Sequence, residues 1–308
     1  MSRIHDALKR AEEERARGGG QDSSLDAKPP AAASPDLMAD PAPSQLQAPN
    51  EDKRVGLDVL DLRRRLEGCS RHHWNTDLTS ARNVDPRCRA LVSEEFRTLR
   101  SRLYLMRKVQ SLQKLLVTSP LPREGKTFTA TNLAEVIAKQ PESRLLLIDG
   151  DLRAPALHIT LGTPSEPGLI QFLEGESDMT SLIQRGPLDN FFFLPAGGVA
   201  PNPTELLSNG RMGLLLKWLA PVFDWIIVDS PPVLPVSDAK LLARSCDGVL
   251  MLINAGTTPF DLAQKACGEF PKDQVLGVIL NRAEPQHTYG SYYYHSNGDH
   301  HKGNGKGL

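Results

Sequence analysis

The chain has 308 residues, 40% of them hydrophobic, and its 36 basic and 37 acidic side chains leave a formal charge of −1. Near-neutrality argues against a protein that coats nucleic acid through overall charge. No apolar run approaches the roughly 18 residues of a membrane span, and four scattered cysteines without a CxxC pair suggest neither a disulfide framework nor a zinc knuckle. A mean hydropathy of −0.33 predicts that part of the chain does not pack, and a charged N-terminus without an apolar secretory core makes a cytoplasmic protein the expectation.

In chain order, residues 1–17 read as a short helix with Ile4, Leu8 and Ala11 on one face, ended by Gly18, Gly19 and Gly20. Residues 18–85 read as mostly disordered linker, rich in Pro, Ala, Ser and Asp at first. The stretch 55–66 allows a brief helix or strand but no core. At 93–108 the spacing of Phe96, Leu99, Leu103 and Met106 predicts a helix. Short apolar runs follow at 115–119, 144–149, 191–196, 225–230, 248–254 and 277–281, alternating with helical stretches. Such runs indicate a mostly parallel sheet covered by helices on both faces, an α/β fold. Residues 86–286 therefore read as one domain. The remainder, 287–308, holds four of the five tyrosines and nothing from which to build a core, so it reads as a flexible tail.

Three strand ends carry chemistry. SPLPREGKT (119–127) joins an apolar run to a helix, where a phosphate-binding loop needs converging backbone N–H groups, a lysine and a hydroxyl for Mg²⁺. Gly125, Lys126 and Thr127 occupy those places, although Pro120 stands where the opening glycine is usual. RLLLIDGDLR (144–153) puts Asp149 and Asp151 at the carboxyl end of a buried strand, where α/β folds place their sites. WIIVDSPP (225–232) does the same with Asp229. Each is also acceptable as an ordinary turn. Together, in this order, they read as an Mg²⁺-dependent nucleotide site.

These motifs resemble those of the bacterial tyrosine kinases of capsule and exopolysaccharide systems, a branch of the partition-type P-loop ATPases. SPLPREGKT is similar to the family's deviant Walker A loop with Arg123 in place of a glycine. LLLIDGDLR is similar to its DxDxR motif, and IIVDSPP to its Walker B form. Glu94, Arg97 and Arg100 match an ExxRxxR oligomerisation pattern, and Tyr289, Tyr292, Tyr293 and Tyr294 match its tail of phosphoacceptors.

The resemblance implies a P-loop NTPase fold and an autokinase using ATP and Mg²⁺, with regulation of polysaccharide polymerisation and export as its role. Glu124, Gly125, Lys126, Thr127, Phe128 and Asn281 would bind nucleotide. Thr127, Asp149 and Asp229 would hold the metal. Lys126, Asp149, Asp151 and Arg153 would be catalytic, with Asp151 or Asp149 taking the phenol proton and Arg153 either stabilising transferring charge or pairing with an acid. The implied partners are a membrane polysaccharide co-polymerase as activator, further copies in a ring, and a cognate tyrosine phosphatase, with recruitment to the inner face of the plasma membrane and no nucleic acid. A partition-type ATPase or a nucleotide-sensing scaffold are the competing readings.

Overall fold

A computed structural model describes residues 59–74 and 86–283. Two helices come first, α1 (Val59–Glu67) and α2 (Pro86–Arg107), then β1 (Lys114–Thr118), α3 (Lys126–Ala138) and β2 (Leu145–Asp149). Short helices α4 (Leu157–Leu161), α5 (Leu169–Glu174) and α6 (Met179–Leu182) lead to β3 (Gln184–Arg185) and β4 (Phe191–Leu194). Then α7 (Pro203–Ser208), α8 (Arg211–Leu219), β5 (Trp225–Asp229), α9 (Asp238–Ala243), β6 (Gly248–Asn254), α10 (Phe260–Gly268) and β7 (Val275–Asn281) complete the described fold.

The strands form one sheet in the order β3-β4-β2-β5-β1-β6-β7. All neighbours are parallel except the short edge strand β3. The apolar runs are continuous because both faces are covered, so successive residues alternate between two cores. Leu116, Leu146, Ile148, Phe192 and Ile226 belong to one core; Leu115, Leu145, Leu147, Phe191 and Ile227 belong to the other. Helices α2 and α3 lie on the second face: Leu103 is buried there and Phe96, Leu99 and Met106 pack against it, as their spacing predicts. All six predicted strands form; β3, only two residues long, gives no period to read.

The expectation that no core forms before residue 86 needs correction. Leu62 and Leu66 of α1 are buried in the first core. Trp74 is buried in the second, edge-on to Phe191 with ring centroids 4.9 Å apart. Cys69 Sγ donates to Thr180 O at 3.2 Å, and Arg71 pairs with Asp189. Residues 59–74 thus clasp the β3–β4 edge, so at least this part of the expected linker belongs to the folded body. The expected N-terminal helix and the tyrosine-rich tail lie outside the described residues. Among the described residues no helix is long and apolar enough to cross a membrane.

Candidate nucleotide-binding site

The sheet order brings three strand ends together, because Asp229 at the end of β5 is in register with Val117 of β1 on one side and Asp149 of β2 on the other. The loop 119–125 begins just beyond β1. It is stitched to the segment after β5: Ser230 Oγ donates to Val117 O at 3.0 Å, Thr118 Oγ1 to Pro231 O at 3.0 Å, and Val233 N to Ser119 O at 2.9 Å. The loop then turns into α3 through two left-handed residues, Arg123 at φ 64° and Gly125 at φ 97°. Glycine is required at 125, since a Cβ there would collide with Asn281 Nδ2.

Glu124 is buried and faces inward. Its carboxylate accepts from Leu121 N at 3.0 Å and from the Thr258 hydroxyl, while its carbonyl accepts from Asn281 Nδ2 at 2.8 Å. Two sequence-derived candidates, Glu124 and Asn281, therefore meet by bracing the loop from beneath. Thr258 was not readable as a partner, because nothing local in its segment marks it.

Lys126 opens α3. It is only 8% exposed and forms no hydrogen bond or ion pair with another described residue, although its charge lowers the pKa of Asp229. Thr127 Oγ1 donates to Asp229 Oδ2 at 2.6 Å. The other carboxylate oxygen of Asp229, Oδ1, is buried without a hydrogen-bond partner. Burial foremost pushes the Asp229 carboxyl up to about 7, against the opposing pull of Thr127 and Lys126. Asp149 is fully buried, and burial followed by the Asp229 charge raises it well above the usual carboxylate range. Two adjacent buried carboxylates, one with an orphaned oxygen, beside a hydroxyl and a buried lysine, form a donor set suited to a hard divalent cation bound with phosphates.

Asp149 Oδ1 and Oδ2 accept backbone N–H groups from Asp151 at 3.3 Å and Leu157 at 3.0 Å. Asp151 is partly exposed, and its Oδ1 accepts from Arg153 N at 3.3 Å and Ala154 N at 3.0 Å. Gly150 between them lies against β5, where a Cβ would come within 2.7 Å of Asp229 O. Arg153 pairs with an acid, but with none of the three motif acids. Its Nε and Nη2 reach Asp238 at 2.7 and 3.1 Å, and Nη2 also donates to Thr204 Oγ1 at 2.9 Å. Asp238 is buried and stands 85 residues away in sequence, so no spacing could have revealed it.

The remaining candidates sit apart. Phe128 is exposed and meets Phe96 of α2 edge-on at 6.1 Å. Arg97 pairs with Glu94 at 2.9 Å on the exposed surface of α2, whereas Arg100 donates to Val136 O at 2.6 Å at the end of α3. Tyr289, Tyr292, Tyr293 and Tyr294 lie outside the described residues.

A parallel sheet with a lysine-bearing loop running into a helix, and acids at the neighbouring strand ends, defines a P-loop nucleotide-binding protein. No family model matches the chain. It is 35% identical over 208 residues to the tyrosine-protein kinase YwqD of Bacillus subtilis, covering 67% of this chain and 87% of that one. It is 35% identical over 215 residues to the tyrosine-protein kinase wzc of Salmonella typhimurium, covering 68% of this chain but 30% of that one. Among solved structures, the kinase domain of the Escherichia coli tyrosine kinase ETK matches 64% of this chain and 80% of that one, with a TM-score of 0.58 and 32% identity. The chimerical protein CapA2B2 matches 73% and 99%, with a TM-score of 0.60 and 27% identity. The chain belongs to the bacterial tyrosine-protein kinase family.

Proposed function

We propose that this chain is an ATP-dependent protein-tyrosine autokinase that modifies Tyr289, Tyr292, Tyr293 and Tyr294 and so regulates capsule or exopolysaccharide polymerisation and export. The observation that carries the reading is the convergence of Lys126, Thr127 and Asp229 with the Asp149–Asp151 strand end.

Phosphoryl transfer asks mainly for positioning and charge neutralisation. Lys126 and the N–H groups of 124–127 hold the β- and γ-phosphates, with the positive end of α3 behind them. Gly125 and the backbone N–H of Phe128 in the first turn complete the loop's contact with the nucleotide, and Asn281 holds the loop in shape through Glu124 O. Thr127, Asp149 and Asp229 hold Mg²⁺, which supplies charge neutralisation for the phosphates. Asp149 is fully buried and faces the metal with Asp229, so the partly exposed Asp151 is the carboxylate that takes the phenol proton. The phenol oxygen bonds to the γ-phosphorus as its proton passes to Asp151. The bond from that phosphorus to the bridging oxygen breaks, and ADP leaves with the electron pair. A phenol of pKa near 10 needs such a base at neutral pH. Arg153, held by Asp238 and Thr204, keeps the Asp151 loop in place.

The kinase body includes residues 59–74 and 86–283; residues 1–17 serve for docking onto a membrane partner, and 287–308 supply the acceptor tyrosines. Glu94 and Arg97 face further copies, with Arg100 fixing α2 to α3. A cytoplasmic segment of a membrane polysaccharide co-polymerase activates the protein at the membrane, and a cognate phosphatase reverses the modification. Transfer from γ-labelled ATP to protein tests the reading. The parent chain, with that partner segment added if it is silent alone, should label on tyrosine, while Lys126→Ala and a chain with all four tail tyrosines changed to Phe should not. ATP hydrolysis without protein labelling would make it a partition-type ATPase instead.

A further inference from the structure

The segment between β6 and α10 meets the phosphate-binding loop through one side chain. Ala255 N donates to Asn281 O at 2.8 Å, which ties the segment to the end of β7, and the N–H groups of Thr257 and Thr258 donate to Asn254 O at 3.2 and 3.1 Å. Residues 256, 257, 259 and 260 are exposed, and Thr258 alone in that run is drawn partly inward. Its hydroxyl donates to Glu124 Oε1. Leu121 N donates to the other oxygen, Oε2, at 3.0 Å, and Asn281 Nδ2 donates to the Glu124 carbonyl at 2.8 Å. Glu124 is buried, and the residues on either side of it are both left-handed, Arg123 at φ 64° and Gly125 at φ 97°.

We infer that Thr258 is a positioning residue of the nucleotide site: its hydroxyl anchors the Glu124 carboxylate and so keeps the loop in the shape that turns its N–H groups toward phosphate. This rests on the nucleotide-binding reading above and adds a residue that lies outside every motif. Glycine adopts the conformation at 125 without strain, but an L-residue such as Arg123 is strained at positive φ and stays there only where surrounding contacts hold it. The two donors on the Glu124 carboxylate are not equivalent in this respect. Leu121 N belongs to the loop itself and moves with it, whereas Thr258 fixes the carboxylate to a separate element. Without the hydroxyl, a buried carboxylate oxygen is left short of a donor, which disfavours the present loop conformation, and Arg123 is then free to relax to negative φ. The N–H groups of Glu124 and Gly125 follow Arg123 directly in the chain, so they turn with it. Thr258 bonds to none of Asp149, Asp151 and Asp229, so its effect is on the loop and not on the acids.

The test uses the full chain and measures the Kd for Mg-ATP by calorimetric titration at a temperature where each variant is folded, with the Tm read separately. Thr258→Val keeps the shape of the side chain and removes the hydroxyl; it should raise the Kd about tenfold, the expected loss for one hydrogen bond to a buried carboxylate. Thr258→Ser keeps the hydroxyl and should bind within twofold of the parent. Adding Arg123→Gly to Thr258→Val should recover at least threefold of the lost affinity, because glycine holds the left-handed turn without an anchor. A role confined to stability would lower the Tm of Thr258→Val and leave the Kd of the folded chain unchanged, and that result would overturn the inference. So would a loss in Thr258→Ser as large as that in Thr258→Val, or a double variant that binds no better than Thr258→Val alone. A parent chain that does not bind Mg-ATP would overturn the nucleotide-binding reading itself.

Discussion

Asp229→Asn should stabilise the protein while abolishing its phosphoryl transfer, and the stabilisation should depend on pH. The folded Asp229 carboxyl titrates at about 7 instead of its ordinary 3.8, mainly through burial. Between those values the folded chain keeps a proton that the unfolded chain has released. Stability therefore falls as pH rises from about 4 to about 7 and stays reduced above. At about 1.4 kcal/mol per pH unit the charged carboxylate costs at most about 4 kcal/mol at pH 8. Local relaxation and water penetration around the ionised carboxylate bring this down to about 2 kcal/mol, while the fall in Asp149's own pKa once its neighbour is neutral adds to the gain. Asparagine is uncharged throughout and still accepts the Thr127 hydroxyl. Thermal unfolding without nucleotide or metal should show a Tm roughly 4–8 °C above the parent at pH 8 and little difference at pH 4. A lower Tm at pH 8, or the same change at both pH values, would refute the electrostatic account of the site.

The clasp gives a second prediction. Leu66→Ala, at a fully buried position of α1, should cost about 2–4 kcal/mol in urea unfolding, and a chain beginning at residue 86 should lose more. Arg123→Gly should raise stability by about 0.5–1 kcal/mol, because a left-handed φ costs an L-residue about 1–2 kcal/mol and glycine's extra unfolded freedom returns part of it. Calorimetry of the purified variant would show it. Asp238→Asn leaves Arg153 a neutral partner in place of a buried carboxylate; tyrosine labelling should fall at least tenfold while ATP binding, read by titration, stays within about threefold.

The sheet and the phosphate-binding loop were legible because their signals are local. A continuous run such as WIIVD declares a strand covered on both faces, and EGKT before a helix marks a phosphate-binding loop once two other strands are seen to end in acids. What was hidden depends on contacts across the chain. In α1 only Leu62 and Leu66 are buried, among arginines that give the stretch a polar look, so burial against the β3–β4 edge could not be read from composition. The turn at Arg123 could be suspected only from the glycine it replaces. Arg153 was marked by its motif, yet its partner Asp238 opens α9 in a sequence, VSDAK, that looks like any helix start. Glu124 looked like a phosphate-facing residue, whereas the fold turns its carboxylate inward to Thr258.

The central claim is that phosphate moves from ATP to the tail. Intact-mass analysis of the full chain after incubation with Mg-ATP, alone and with a partner's activating segment, tests it most directly. The account predicts a ladder of phosphate additions that maps to Tyr289–Tyr294 and vanishes in Lys126→Ala. An unchanged mass under both conditions, with ATP nonetheless consumed, would contradict it.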